Sequence, residues 1–394
     1  MLSHLPLSMV TTEGETMKHL VYALFWFFPV LLICIQGLGA NPKKVIPSQK
    51  LRDPKLFSLQ IAIQESILYF QKLPQDTKFL FHGETYSPNE ILHPLQKIQK
   101  QIHLYETAEL LTEVKKLFQE VELKTGNDLP LITGYYEVRV QGKTKLEGHY
   151  AHPALVPPIR GNVDAKVVSF PREYWKEESH WKSHSQAIVF LRLTDLHLAQ
   201  LEGSAIVQTE TKEVFRINYS SDNGLDYVSP SVHLTGVCQS LKPYHLSNCM
   251  ETNPNEVTDA IWKNPRYIFF EKETIHNHKS NSIPIGPLGS GGIRLVEGRS
   301  VAMDKQIPLG FPVLLSFPST KQTYHDHLAF VHDRGNAIQG EGRVDFYLGN
   351  GFGVDEVANQ LLTKGKVVLL VPRKKDCQTV SPKKCNRRQS KSME

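Results

Sequence analysis

His332-Asp-Arg-Gly-Asn-Ala-Ile-Gln-Gly-Glu-Gly-Arg-Val-Asp-Phe-Tyr-Leu-Gly349 is the stretch on which a reading of this chain turns. Upstream runs Gly298-Arg-Ser-Val-Ala-Met-Asp-Lys-Gln-Ile-Pro-Leu-Gly310, and together the two carry Asp304, Asp333 and Asp345, each beside a short apolar run and near glycines. Apolar runs punctuated by Asp and Gly predict short strands joined by tight turns. Acids at the strand ends then predict a small closed barrel that carries carboxylates into a cleft.

Working outward, 394 residues are enough for two domains. A hydrophobic share of 40% with 22% charged residues excludes wholesale disorder. The formal charge of +5 is concentrated in the tail, where eight Lys/Arg from Arg373 onward face Asp376 and Glu394. The body is therefore close to neutral, which argues against nucleic acid as a partner. Near the N-terminus, Met17-Lys-His19 precedes an apolar run over 20–35 and then Gln-Gly-Leu-Gly-Ala40, the layout of a secretory signal peptide. Residues 1–16 do not resemble a signal, which makes Met17 the alternative true start of a signal read over 1–40, and the run is short for a membrane span. Leu31-Leu-Ile-Cys34 resembles the acceptor site of a bacterial lipoprotein, with Ile33 where a small residue is expected, and a lipid anchor at Cys34 is the alternative fate. Removal of the signal leaves Cys238, Cys249, Cys377 and Cys385. An even number in an exported chain permits disulfides, and the two local pairs are the simplest of three connectivities. Neither pair has CxxC spacing, so no zinc site is expected.

After a polar linker, Asp53-Pro54 opens a helix with Leu56, Leu59, Ile63, Ile67 and Phe70 at helical spacing. Ser87-Pro-Asn-Glu90 forms a capping box ahead of Ile91, Leu95, Ile98 and Ile102. A third helix is predicted over 107–123. From Leu131 the period becomes that of strands, over 132–140, 187–193, 204–208, 214–219 and 267–270, with a short helix over 255–262. Neighbours Tyr135 and Tyr136 would face opposite ways. The loop Gly286-Pro-Leu-Gly-Ser-Gly-Gly292 lacks the Lys-Ser/Thr ending of a phosphate loop and reads as a connector. His276/His278 and His325/His327/His332 lack a spaced carboxylate or cysteine to complete a metal shell, so no metal is expected.

Thr133-Gly-Tyr-Tyr-Glu137, followed by the prolines of His152-Pro153 and Val156-Pro-Pro158, resembles the opening motif of the MltA family of membrane-bound lytic murein transglycosylases. Leu201-Glu-Gly-Ser204, the Asn-Gly segment over 219–227, Asn264-Pro-Arg-Tyr-Ile-Phe-Phe270, Gly298-Arg-Ser300 and Arg343-Val-Asp-Phe-Tyr-Leu-Gly349 match in the same order. The C-terminal matches resemble the family's three-aspartate (3D) domain, and the similarity spans roughly 50–372. It implies a mainly β protein with N-terminal helices. A double-psi β-barrel would be built from 41–130 and 266–374, a glycan-binding β domain over 131–265 would be inserted into it, and a groove would lie between them. Residues 1–40 would be the signal and 375–394 a disordered basic tail.

The resemblance further implies cleavage of the β-1,4 link between N-acetylmuramic acid and N-acetylglucosamine in peptidoglycan, leaving a 1,6-anhydro end, with no cofactor. Such a chain would act as a monomer on glycan strands in the periplasm or at the periplasmic face of the outer membrane. Motif matching puts the catalytic aspartate on Asp345, with Asp333 and Asp304 in support and Asp333 as the carboxylate that raises Asp345's pKa. Glycan contacts would fall on Thr133, Tyr135, Glu202, Gly203, Ser204 and Tyr227. The chain departs from the pattern at Arg334 and Asn336, where an arginine would lower Asp345's pKa or bind a substrate carboxylate, and at Glu202, where a glutamine is usual. A binding-only barrel of the expansin or barwin kind is the rival reading. An aspartic protease would need a second Asp-Thr-Gly-like motif besides Asp333-Arg-Gly335.

Overall fold

The computed structural model describes residues 54–104, 107–158, 165–275, 286–335, 338–351 and 353–374. The signal-like segment with Cys34, Cys377, Cys385, most of the basic tail, His276, His278 and Asn336 lie outside the described residues. The first described element is the helix Pro54–Lys72, which buries Leu59, Ile63, Ile67 and Phe70, the face its spacing marks. A hairpin of β1 (Phe79–Phe81) and β2 (Glu84–Tyr86) follows. His82 and Gly83 form its turn at φ 47° and 79°, the left-handed backbone that a two-residue hairpin requires. Helix Pro88–Gln101 starts at the capping box, where the Ser87 N–H donates to Glu90 Oε2 at 2.8 Å.

The third helix stops earlier than its spacing predicts. It runs Thr107–Leu117, and the next six residues form β3 (Phe118–Leu123). Every residue of β3 pairs with the C-terminal strand, from Phe118 beside Pro372 to Leu123 beside Val367. That long-range ladder outweighs a local helical preference that is only a weak prior.

The remaining strands are β4 (Leu131–Tyr135), β5 (Val138–Gly142), β6 (His152–Leu155), β7 (Ala187–Leu191), β8 (Ser204–Thr209), β9 (Val214–Asp222), β10 (Ile268–Thr274), β11 (Ser300–Ala302), β12 (Pro312–Pro318), β13 (Thr323–Asp333), β14 (Arg343–Tyr347), β15 (Leu362–Lys364) and β16 (Lys366–Pro372). One sheet has eight strands in the order β15-β4-β14-β11-β13-β12-β16-β3, with parallel pairs β4/β14 and β11/β13 among antiparallel ones. Among the described residues nothing pairs β15 with β3, so the ladders form an open mixed sheet where a closed barrel was expected. Closure needs edge strands that tilt and stagger around to meet, and β15 is three residues long.

Residues 131–265 carry the four-stranded sheet β10-β9-β8-β5 up to its last strand, and the pair β6-β7. They also carry more helix than a β domain suggests: Glu178–His184, Leu193–Glu202, Leu246–Thr252 and Pro254–Lys263. The second of these has no sequence period to betray it. Leu193, Thr194, Asp195, Leu196, His197, Ala199 and Gln200 are all buried, so no polar face alternates with an apolar one. Cys238 and Cys249 form a disulfide, one of the two local pairs expected.

The β-rich run over 132–140 is continuous in sequence and divided in space. β4 belongs to the large sheet and β5 to the small one, with Tyr136 and Glu137 at the crossing. Glu137 is fully buried there and receives Arg216 of β9 at 2.5 and 3.0 Å and Asn350 Nδ2 at 2.8 Å, while its N–H donates to the Gly349 carbonyl at 2.9 Å. A charge this deep is tolerable because an opposite charge and an amide answer it. The same cluster joins β9 to the residues that follow β14. His332 is likewise structural: it sits buried between Ser66 Oγ at 3.0 Å and Ser300 Oγ at 2.8 Å, pinning the first helix to the large sheet.

Candidate active site

Alternation along β14 sends Val344 and Phe346 into the core and puts Arg343 and Asp345 on the other face. Register then chooses their neighbours. Thr133 of β4 lies beside Asp345, and Tyr135 beside Tyr347, their rings 5.2 Å apart. The Thr133 hydroxyl donates to Asp345 Oδ1, and the Arg343 guanidinium reaches the same oxygen at 3.5 Å. Asp345 keeps 22% of its side chain exposed. Burial raises its pKa, and Arg343, through its charge and hydrogen bonds, pulls part of the way back, leaving the carboxyl above the ordinary aspartate range. Arg343 was not singled out in the sequence, although two residues' separation on a strand does put it on the face of Asp345.

Asp333 has a different environment from the one expected of it. Its Oδ1 accepts the Ser290 N–H and hydroxyl, both at 3.0 Å, and Tyr135 reaches Oδ2 at 3.4 Å. The causes acting on Asp345 are burial and Arg343, not Asp333. The Gly-rich connector thus does bind an anion, namely this aspartate of its own chain. Arg334 also turns elsewhere, donating to the carbonyls of Asp304 at 2.6 Å and Ile307 at 2.9 Å, and neither lowers Asp345's pKa nor points a free fork at a substrate.

Asp304 caps backbone: it accepts the Gln306 N–H at Oδ1 and the Gly340 N–H at Oδ2, each at 2.7 Å. The Gln306 bond first, and the Gly340 bond after it, hold its pKa below the usual value against some desolvation. A depressed folded pKa gives stability above the unfolded value of about 3.9 that disappears as pH falls through the folded value. Asp304→Ala is expected to cost about 1–3 kcal/mol at neutral pH, with the difference from the parent shrinking in acid; urea unfolding at neutral and acidic pH checks it. An equal deficit at both pH values would contradict the assignment.

The small sheet contributes Glu202. It ends the helix Leu193–Glu202, Gly203 turns the chain at φ 79°, and Ser204 begins β8, itself buried. Glu202's pKa is pushed up to about 8, by burial first and by the charge of Asp345 second. Its charge in turn acts on the phenols of Tyr136 and Tyr227, which burial already pushes up. The structure therefore brings Thr133, Tyr135 and Asp345 together on the β4/β14 ladder, with Glu202 within electrostatic reach of Asp345 and of Tyr227, which is 39% exposed. Gly203 and Ser204 shape the turn that presents Glu202, and Asp304 stays outside this group. Among the described residues no three His, Cys, Asp or Glu side chains stand together to hold a metal ion.

Two family models match in chain order: the MltA specific insert domain over residues 131–271 and the 3D domain over 299–371. The chain belongs to the MltA family of lytic murein transglycosylases. Its fold is similar to MltA from Neisseria gonorrhoeae (18% identity, TM-score 0.64, covering 83% of this chain and 91% of that one). It is equally similar to the membrane-bound lytic murein transglycosylase of Agrobacterium tumefaciens (18%, 0.64, 83% and 95%). E. coli MltA with bound chitohexaose gives 18%, 0.60, 80% and 90%. No curated protein matches the chain. The MltA insert model spans the small sheet and its helices, and the 3D model spans β11 to β16, including all three aspartates.

Proposed function

We propose that this chain cleaves the β-1,4 bond between N-acetylmuramic acid and N-acetylglucosamine in peptidoglycan and leaves a 1,6-anhydro end, with Asp345 as acid and then base. The observation that carries the reading is the environment of Asp345: partial burial favours its acid form, while Thr133 and Arg343 stand ready to stabilise the carboxylate left after proton transfer. Ordinary glycosidases place two carboxyl groups around the bond, one of them acting with water or as nucleophile. Here the sugar's own 6-hydroxyl is the nucleophile. Holding it beside the anomeric carbon makes the attack intramolecular, for which effective molarities are very large. Asp345 gives its proton to the leaving oxygen as the glycosidic bond breaks, and its carboxylate accepts the 6-hydroxyl proton as the new ring closes.

The glycan would lie along the seam between the two sheets, against Thr133, Tyr135, Glu202, Gly203, Ser204 and Tyr227. Chitohexaose bound to the E. coli relative supports a glycan in this kind of fold. The parallel pairs β4/β14 and β11/β13 support reading the large sheet as an opened-out double-psi arrangement, with 131–265 as its insertion. Peptidoglycan as substrate supports a place in the cell envelope. The test is digestion of purified peptidoglycan with mass analysis of the products. Muropeptides one water lighter than hydrolytic fragments are expected; binding without release would favour a wall-binding protein, and products carrying the added water would favour a hydrolase.

A further inference from the structure

The insert encloses a small cavity that the reaction at Asp345 does not use, and its walls are polar. Arg172 reaches it from the turn Arg172–Lys176, while His197 and Gln200, three residues apart on the helix Leu193–Glu202, share the helix face toward it. All three are buried, at 1%, 1% and 3% exposure. Arg172 Nη1, both ring nitrogens of His197 and Gln200 Oε1 have no hydrogen-bond partner among the described residues. Polar atoms this deep are normally paired, so a cluster of them around one space points to a small guest that pairs them.

Charge narrows what the guest is. The Arg172 side chain donates from Nε to the Arg266 carbonyl at 3.1 Å and lies 5.6 Å from the Tyr267 ring, and no carboxylate among the described residues pairs with it. Arg266, which also lines the cavity, has a carboxylate of its own, Asp222 Oδ2 at 2.6 Å. Two guanidinium groups and one carboxylate leave one positive charge at the cavity. Burial pushes the Arg172 pKa down to about 10, which keeps it charged at neutral pH. Burial first, and Arg172 second, push His197 down to about 3, so its ring is neutral and offers one N–H. Stacking on Tyr227, with ring centres 6.3 Å apart, fixes the plane of that ring.

We propose that this cavity binds one monoatomic anion of chloride size, held by Arg172 Nη1 and an N–H of His197. The free space is about 10 Å³, room for one small sphere and too little for a sugar or a carboxylate. Leu201 and Tyr227, which reach the surface, line the way in. A water would give Gln200 Oε1 a donor, yet it would leave the buried charge unanswered. An uncompensated buried charge costs more than an unmet neutral acceptor, so the anion is favoured. It would brace three segments distant in sequence: the turn at Arg172, the helix that ends at Glu202, and the start of β10, where the Ile268 carbonyl already accepts Gln200 Nε2 at 2.9 Å. The site is independent of the chemistry assigned to Asp345.

The test is thermal unfolding of the full chain while chloride replaces gluconate at constant pH and ionic strength. An anion that binds only the folded state raises the midpoint with its concentration, by ~2 °C or more between chloride-free buffer and ~0.3 M chloride. Bromide should act like chloride. Arg172→Met keeps the apolar stem and removes the charge, and its midpoint should not respond to either halide. A parent midpoint indifferent to chloride overturns the site and leaves the cavity to water. A response that survives in folded Arg172→Met overturns it as well, because the ion would then act elsewhere. Should Arg172→Met not fold, crystals of the parent grown with bromide decide: an anomalous peak within ~3.5 Å of Arg172 Nη1 supports the site, and no peak there refutes it.

Discussion

Asp345→Asn is expected to lower release of anhydro-muropeptides by ~10²-fold or more while leaving glycan co-sedimentation within a few fold. The amide matches the carboxylate in size and still accepts the Thr133 hydroxyl, so the β4/β14 pairing and the local packing have no reason to change. What it removes is a group able to give and then take a proton, a contribution of about 10²–10⁴ in rate. Arg343 loses an ion pair that is partly solvated, which costs little. Thermal unfolding of the variant beside the parent separates lost chemistry from lost fold. Anhydro ends formed at the parental rate by a folded Asp345→Asn protein would remove Asp345 from the reaction.

The second large effect concerns stability. Glu137→Ala strips a fully buried guanidinium of its principal counter-charge, since Glu137 and Arg216 are 0% and 3% exposed. Breaking one side of a buried pair costs about 3–5 kcal/mol, because the remaining charge is left in a medium that cannot solvate it. Glu273 gives Arg216 only a longer contact, at 3.5 Å, and is itself committed to Arg294 at 2.7 Å. Asn350 would lose a partner as well. Because the cluster sits where the two sheets meet, the destabilised protein should also show weaker glycan binding. Glu137→Gln, which keeps the hydrogen-bond acceptor, should fall between parent and Ala. Denaturant midpoints at constant pH measure the series, and a cost for Glu137→Ala below about 1 kcal/mol would show that water or relaxation replaces the pair.

Much of this site was legible because strand chemistry is local. Apolar runs punctuated by Asp and Gly announce short strands that carry the acids, and the Ser87 box announces a helix start, since each signal lies within a few residues; Asp345 stands at the middle of β14 where a strand end was expected. The helix over 107–123 was overextended for the converse reason: the partner of β3 is β16, some 250 residues away, and no local period reports it. Helix Leu193–Glu202 was missed because burial on all sides erases the amphipathic pattern. Asp333 was assigned to Asp345 from its place in the motif, yet its carboxylate is taken up by Ser290, a residue of a loop that reads as a mere connector.

Sequence alone determined that this chain carries aspartates among short strands, a helical N-terminal region and a motif order similar to the MltA family, because these depend on residue type and on neighbours within a few positions. Tertiary structure alone decided what else surrounds Asp345. Strand register brought Thr133 to Asp345, and the folded loops turned Arg334 and Asp333 toward other partners. Electrostatic interaction depends on distance through the folded molecule and on exclusion of water, and neither quantity is written in the order of residues along the chain.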